Sequence, residues 1–153
     1  MTSQIPDTIY YQDRRCQLMA TPLEAYFAMG VARPELNCTY LALWGGYIAT
    51  WRLVDGQLFL VHLRPGMADA PKLTLGMVFP GQGRRVFASW FTGRLRIPDG
   101  RCLASWDGGF MSAHERETLV EITEGRATSV RDLDLAALPL SLWPAEVMGD
   151  GWV

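Results

Sequence analysis

At 153 residues, with 49% hydrophobic and 20% charged side chains, the chain can bury a core of its own without a metal or disulfide staple. A net charge of −2 and a pI near 5.6 exclude whole-molecule attraction to nucleic acid. The longest nearly apolar run, Tyr40 to Trp51, is interrupted by Gly45-Gly46 and is too short for a helix to cross a bilayer, so no membrane partner is expected.

Charge is unevenly spread. Residues 1–106 carry eleven basic and seven acidic side chains, and residues 107–153 carry three and nine, so the two parts differ in sign. Thirteen of the fourteen basic residues are Arg, Lys72 being the exception. A GC-rich genome accounts for this bias; an Arg-lined recognition surface, exploiting the planar guanidinium fork, is the sharper alternative. Cys16, Cys38 and Cys102 are odd in number, widely spaced and form no CxxC, which points to a reducing compartment and away from a zinc site. The opening Met1 to Asp7 lacks a charged stretch followed by an apolar one, so no secretory leader is expected and the expected location is cytoplasmic.

Thr8 to Met19 holds one or two short strands. Thr21-Pro22-Leu23-Glu24 is the clearest helix start, with a capping Thr, Pro at the first helical position and Glu three after the cap; the helix should end at Gly30. From Tyr40 the character turns to strand. Tyr47 to Val54 and Gln57 to Arg64 flank Asp55-Gly56, the strongest short-range hairpin signal. Counting outward from the turn sets Leu53 opposite Leu58, Trp51 opposite Leu60, Ala49 opposite His62 and Tyr47 opposite Arg64. Leu73 to Phe79 fits a strand or a short helical turn, Pro80 to Gly83 a loop, and Val86 to Phe91 a strand.

A second hairpin is predicted at Asp99-Gly100, with Leu95 and Ile97 on one face and Arg94 and Arg96 on the other, as in a half-exposed strand. Pro98 suits an edge strand. A third is predicted at Glu124-Gly125. Acid-Gly turns between β-prone runs predict a mainly β fold over residues 1–153: an antiparallel hairpin meander or barrel-like sheet with one short N-terminal helix. From Leu133 onward, apolar residues broken by Pro139 and Pro144 should pack across the sheet as a short helical turn plus extended chain.

The chemical signals are thinner. His62 and His114 are the only histidines, and a His on an apolar hairpin is more often structural than catalytic. Ser112 to Glu117 sets a nucleophile, a base and an acid near one another in sequence, but triads are recognised by spatial roles, and no metal-ligand spacing accompanies either His. Pro80 to Arg85 lacks the ending of a phosphate-binding loop. Arg84, Arg85, Arg94, Arg96 and Arg101 fall in a stretch whose one acid is Asp99; if their strands adjoin they make a cationic patch. Trp106-Asp107-Gly108-Gly109-Phe110 offers two aromatics and an acid on a glycine loop, the kind of segment that carries function. Most other aromatics, Trp44, Trp51, Trp90 and Tyr47 among them, belong to a core.

Gly46 to Leu60, reading GYIATWRLVDGQLFL, and Phe87 to Gly100, reading FASWFTGRLRIPDG, resemble stretches shared by a group of small, uncharacterised bacterial proteins. That resemblance implies a bacterial, cytosolic origin and a single domain type, and brings no activity and no catalytic residue. The function expected is a non-enzymatic binding protein recognising another protein, such as a toxin-neutralising or accessory factor. The binding residues expected are Arg94, Arg96, Arg101, Trp106, Asp107 and Phe110, with no catalytic residue, metal or cofactor. The alternatives are a small-molecule or carbohydrate-binding β domain, and then a small hydrolase using His114 with Asp107 or Glu115.

Overall fold

In a type I′ hairpin turn both central residues take positive φ, which matches the turn's twist to that of its strands. In the computed structural model, which describes residues 6–31, 46–66, 72–105, 112–144 and Val147, three turns do so. They are Asp55-Gly56 (51° and 75°), Glu124-Gly125 (48° and 83°) and Gln12-Asp13 (51° and 62°). The first joins β3 (Tyr47–Val54) to β4 (Gln57–Pro65), the second β7 (Ser112–Thr123) to β8 (Arg126–Asp134), and the third β1 (Asp7–Tyr11) to β2 (Arg14–Leu18).

With β5 (Val86–Phe87) and β6 (Gly93–Ser105), these strands form one eight-stranded sheet in the order β2-β1-β3-β4-β8-β7-β6, β5 pairing separately with β4. The fold is mainly β with few helices, as the turn pattern predicts, but the sheet is mixed: β1 runs parallel to β3, with Ile9 opposite Trp51. The sheet curls without closing into a barrel. Its two end strands approach where Met19 N–H donates to the Arg96 carbonyl at 2.8 Å.

Two expectations of register need correction. The β3–β4 pairing holds from Val54↔Gln57 to Trp51↔Leu60, but the next pair is Thr50↔His62, which leaves Val61 as an extra residue. That bulge changes the phase of the strand. Ala49 then faces Leu63, which is buried, and His62 turns out to solvent. Without it the core would receive an imidazole and lose a leucine. The second correction is larger. Asp99-Gly100 is not a hairpin turn, since β6 runs straight through it, and Gly100 (φ 83°) serves a bulge in the ladder with β7.

The helix begins as expected, with α1 (Pro22–Phe27) following Thr21, but Thr21 makes no side-chain cap. Glu24 instead accepts a short hydrogen bond from the Tyr47 hydroxyl, which ties α1 to the sheet. Leu75–Val78 forms the single helical turn α2, and the strand expected over 86–91 stops at Phe87. The core lies where β1 to β7 converge under α1, with Ile9, Leu18, Leu23, Trp51, Leu58, Leu60, Leu95 and Val120 fully buried. A second, smaller cluster joins Ala113, Leu135 and Val147, with Trp143 against it. The segment after β8 therefore packs back through Leu135, while Leu140 and Leu142 remain about 60% exposed.

Candidate functional site

β6 alternates Arg with apolar residues, and its neighbour β7 sets Glu121 and Leu119 opposite Arg94 and Arg96, so that Arg96 reaches diagonally to Glu117. The antiparallel register sets Arg94 opposite Glu121, where Nε lies 2.7 Å from Oε1. One step along the same face, Arg96 holds Glu117 through Nε at 2.6 Å and a second nitrogen at 3.2 Å. Arg116 on β7 reaches back to Asp99 at 2.9 Å, and Arg14 of β2 approaches the same carboxylate at 3.9 Å. Glu115 accepts the Arg101 main-chain N–H at 2.6 Å and sits 3.5 Å from its guanidinium.

The expected cationic patch is thus a ladder of ion pairs. Arg94, Arg96 and Arg101 share one strand, and β7 supplies an acid to each. Arg96 is also not on a solvated face: it and Glu117 are almost fully buried. Alternation along one strand cannot reveal that both faces of a sheet are covered. Arg84 and Arg85 lie in the loop before β5, and the Arg85 guanidinium rests over the Phe59 ring of β4. Trp106, Asp107 and Phe110 fall outside the described residues, as do Trp44 and Cys38.

The end of β6 behaves differently from its start. Gly93 to Pro98 is buried or half-buried, whereas Asp99 to Leu103 is exposed, so β6 and β7 run on as an arm past the main core. The arm is bulged between Asp99 and Cys102 and again between Cys102 and Ala104. One of its faces packs through Ala113 onto Leu135. Arg101, whose side chain is 85% exposed, and Leu103, at 38%, stand on its β6 strand. Segment 106–111 connects the arm's two strands.

The buried Glu117 carboxylate gathers three groups. Burial pushes its pKa up, and His114 and Arg96 more than reverse this, so it is held below the usual carboxylate range. The His114 main-chain N–H donates to it at 2.9 Å; the ring Nδ1, 3.4 Å away, lies near enough for attraction but makes no hydrogen bond. Of the two acids expected to serve His114, Glu115 is engaged with Arg101, and Asp107 lies outside the described residues.

Sequence inspection missed a second buried acid. Asp7, at the start of β1, accepts the Trp51 indole N–H at 3.0 Å and the Ala49 main-chain N–H at 3.2 Å. Burial pushes its pKa up to about 7, with the Glu24 charge adding to the shift and the two hydrogen bonds opposing it. A lone acid before a β-prone run gives no sign of this in the sequence.

Tyr26, Phe79 and Trp90 form an aromatic stack beside α1, with Phe79 and Trp90 parallel at 5.4 Å. They line an open cleft of about 240 Å³ together with Gln82, Val86, Phe87 and Ser89. The Trp90 indole is fixed by donating to the Pro22 carbonyl at 2.9 Å. Among the described residues no group of three or more His, Cys, Asp or Glu side chains converges to hold a metal ion, and no helix is long and apolar enough to cross a membrane. No family model, no curated protein and no solved structure matches the chain.

Proposed function

We propose that this chain is a non-enzymatic binding domain that recognises another protein, in the manner of a toxin-neutralising or accessory factor of a bacterial cytoplasm. The observation that carries this reading is the β6–β7 arm: a hydrogen-bonded, bulged ribbon extending past the core with Arg101 and Leu103 exposed on it. Arginine and neighbouring apolar groups on a pre-ordered element supply interface energy with little ordering cost. Arg101 keeps most of its guanidinium in solvent while its main-chain N–H anchors it to Glu115. Arg94 and Arg96 are tied to β7 and support the arm, rather than meeting the partner.

The test is recovery of the partner from the native host, followed by calorimetric titration of the parent and of the double variant Arg101→Ala, Leu103→Ala. Both positions are exposed, so melting temperatures should match while affinity falls at least about tenfold, or 1.4 kcal/mol. Equal affinity in the two proteins removes the arm from the interface. The aromatic cleft favours a second reading, a small planar or sugar ligand held against Trp90. A panel of such ligands that leaves Trp fluorescence unchanged would dismiss it.

A further inference from the structure

β8 pairs with β7 along its whole length but, among the described residues, meets another strand on its other side only at Gln57↔Arg126 of β4. Hydrogen bonding fixes which main-chain groups are left over. Leu58 N–H donates to the Gly125 carbonyl at 2.9 Å, and Ala127 N–H donates to the Gly56 carbonyl at 2.8 Å, so Gly125 and Ala127 aim toward β4. Simple alternation would next turn Ser129 and Arg131 outward. The register prevents this: Ile122↔Ala127 is followed by Glu121↔Ser129, so Thr128 is an extra residue and the phase changes there. Beyond the bulge, Ser129 and Arg131 bond to β7, and Val130 and Asp132 direct their N–H and C=O groups away from the sheet. Residues 128–132 are all exposed, Val130 at 48%.

We infer that this edge receives a second copy of the chain, pairing antiparallel, β8 to β8, about a two-fold axis centred on Val130. An open strand edge is a template for another strand, and side-chain charge selects both occupant and register. Centring the axis on Arg131 sets Arg131 against Arg131, and centring it on Asp132 sets Asp132 against Asp132. Like charges directly opposed destabilise a sheet pair. Gln57 and Gly56 already occupy the outer sides of Arg126 and Ala127, so centring on Ser129 leaves only Thr128 to Val130 free to pair. The Val130 centre opposes no like charges and leaves the longer stretch, Thr128 to Asp132, free to pair. It sets Val130 against Val130, Ser129 against Arg131 and Thr128 against Asp132, and the two Val130 residues exchange both of their main-chain hydrogen bonds. The strand is thus complementary to itself in one register, and its dimer does not draw on Arg101 or Leu103.

Sedimentation velocity or light-scattering chromatography of the full chain, over a range of micromolar concentrations, tests this directly. The parent should shift from monomer toward dimer as concentration rises. Val130→Arg places like charges at the axis and should weaken association more than about tenfold, with a melting curve matching that of the dilute parent because the side chain is largely exposed. Val130→Pro removes the central N–H and should act in the same direction; if it fails to fold, the Val130→Arg result decides. With the exposed Cys102 replaced by Ser in both proteins, a Val130→Cys variant should cross-link into dimers under mild oxidation and its Val130 counterpart should not. A parent that stays monomeric throughout overturns the proposal, and so does a dimer that Val130→Arg leaves intact.

Discussion

Replacing Asp7 with Asn isolates the effect of a single proton. In the folded chain burial raises the Asp7 pKa to about 7 from its ordinary 3.8, so the native state holds this proton more tightly than the unfolded chain does. The linkage sign follows: its favourable contribution is complete below pH 3.8, shrinks as pH rises through that window, and is gone above pH 7. Between pH 8.5 and pH 5.5 the folded parent should gain about 2 kcal/mol from this group, out of a full span on the order of 4 kcal/mol. Asn has a carbonyl oxygen for one of the two donors, Trp51 or Ala49, but carries no charge to desolvate. The parent-minus-variant difference in unfolding free energy should therefore change by about 2 kcal/mol across that pH range, equivalent to about 4–8 °C in melting temperature. Urea melts at the two pH values, followed by Trp fluorescence, measure it, and subtracting the variant cancels the histidines. A difference that is the same at both pH values would refute the assignment of a buried, proton-binding carboxyl.

Two further outcomes follow from the ladder and the turns. Arg96→Ala strands the buried Glu117 and should cost about 3–5 kcal/mol, whereas Arg94→Ala, at a half-exposed pair, should cost about 1 kcal/mol or less; similar denaturation midpoints for the two would contradict the burial difference. Because Glu117 titrates below its ordinary range, the stability it supplies is present above pH 4.5 and is lost on acidification, opposite in sign to Asp7. Gly56→Ala and Gly125→Ala both place a side chain at positive φ, but a Cβ at Gly56 meets nothing within 4 Å while one at Gly125 lies 2.7 Å from the Ala88 carbonyl. Chemical denaturation should show Gly56→Ala losing about 1 kcal/mol and Gly125→Ala clearly more; an equal loss would mean that strain alone, and not the contact, decides.

Local backbone chemistry was the most legible layer of the sequence. Asp55-Gly56 and Glu124-Gly125 announce their turns because the dipeptides suit positive φ at both positions, and Pro22 announces the first turn of α1. The same dipeptide misled at Asp99-Gly100. A glycine at positive φ serves a bulge as well as it serves a turn, and the choice was made by the long β7 strand that keeps pairing on both sides of it. Gln12-Asp13 makes an equivalent turn with no glycine, so its signal was weak. The arginines show the same division. Their positions on β6 follow from alternation, but the burial of Arg96 depends on what covers the second face, which no single strand encodes. The bulges at Val61 and Thr128 redirect His62 and Val130, and each is fixed by pairing between strands rather than by the residue that forms it.

The parallel pairing of β1 with β3 has a consequence for synthesis. β1 lies between β2 and β3 in the sheet and carries Ile9, yet it leaves the ribosome well before Thr50 to Arg52, its partners on the far side. Until those residues emerge, β1 and β2 can form at most an isolated two-stranded ribbon, which is marginal in water. The nascent N-terminal hairpin is held in waiting, with Ile9 and Leu18 uncovered, until the β3–β4 hairpin is complete enough to receive it. The distance in sequence between β1 and β3 therefore sets how long Ile9 and Leu18 stay uncovered, until Trp51 pairs beside Ile9 and its indole N–H reaches Asp7.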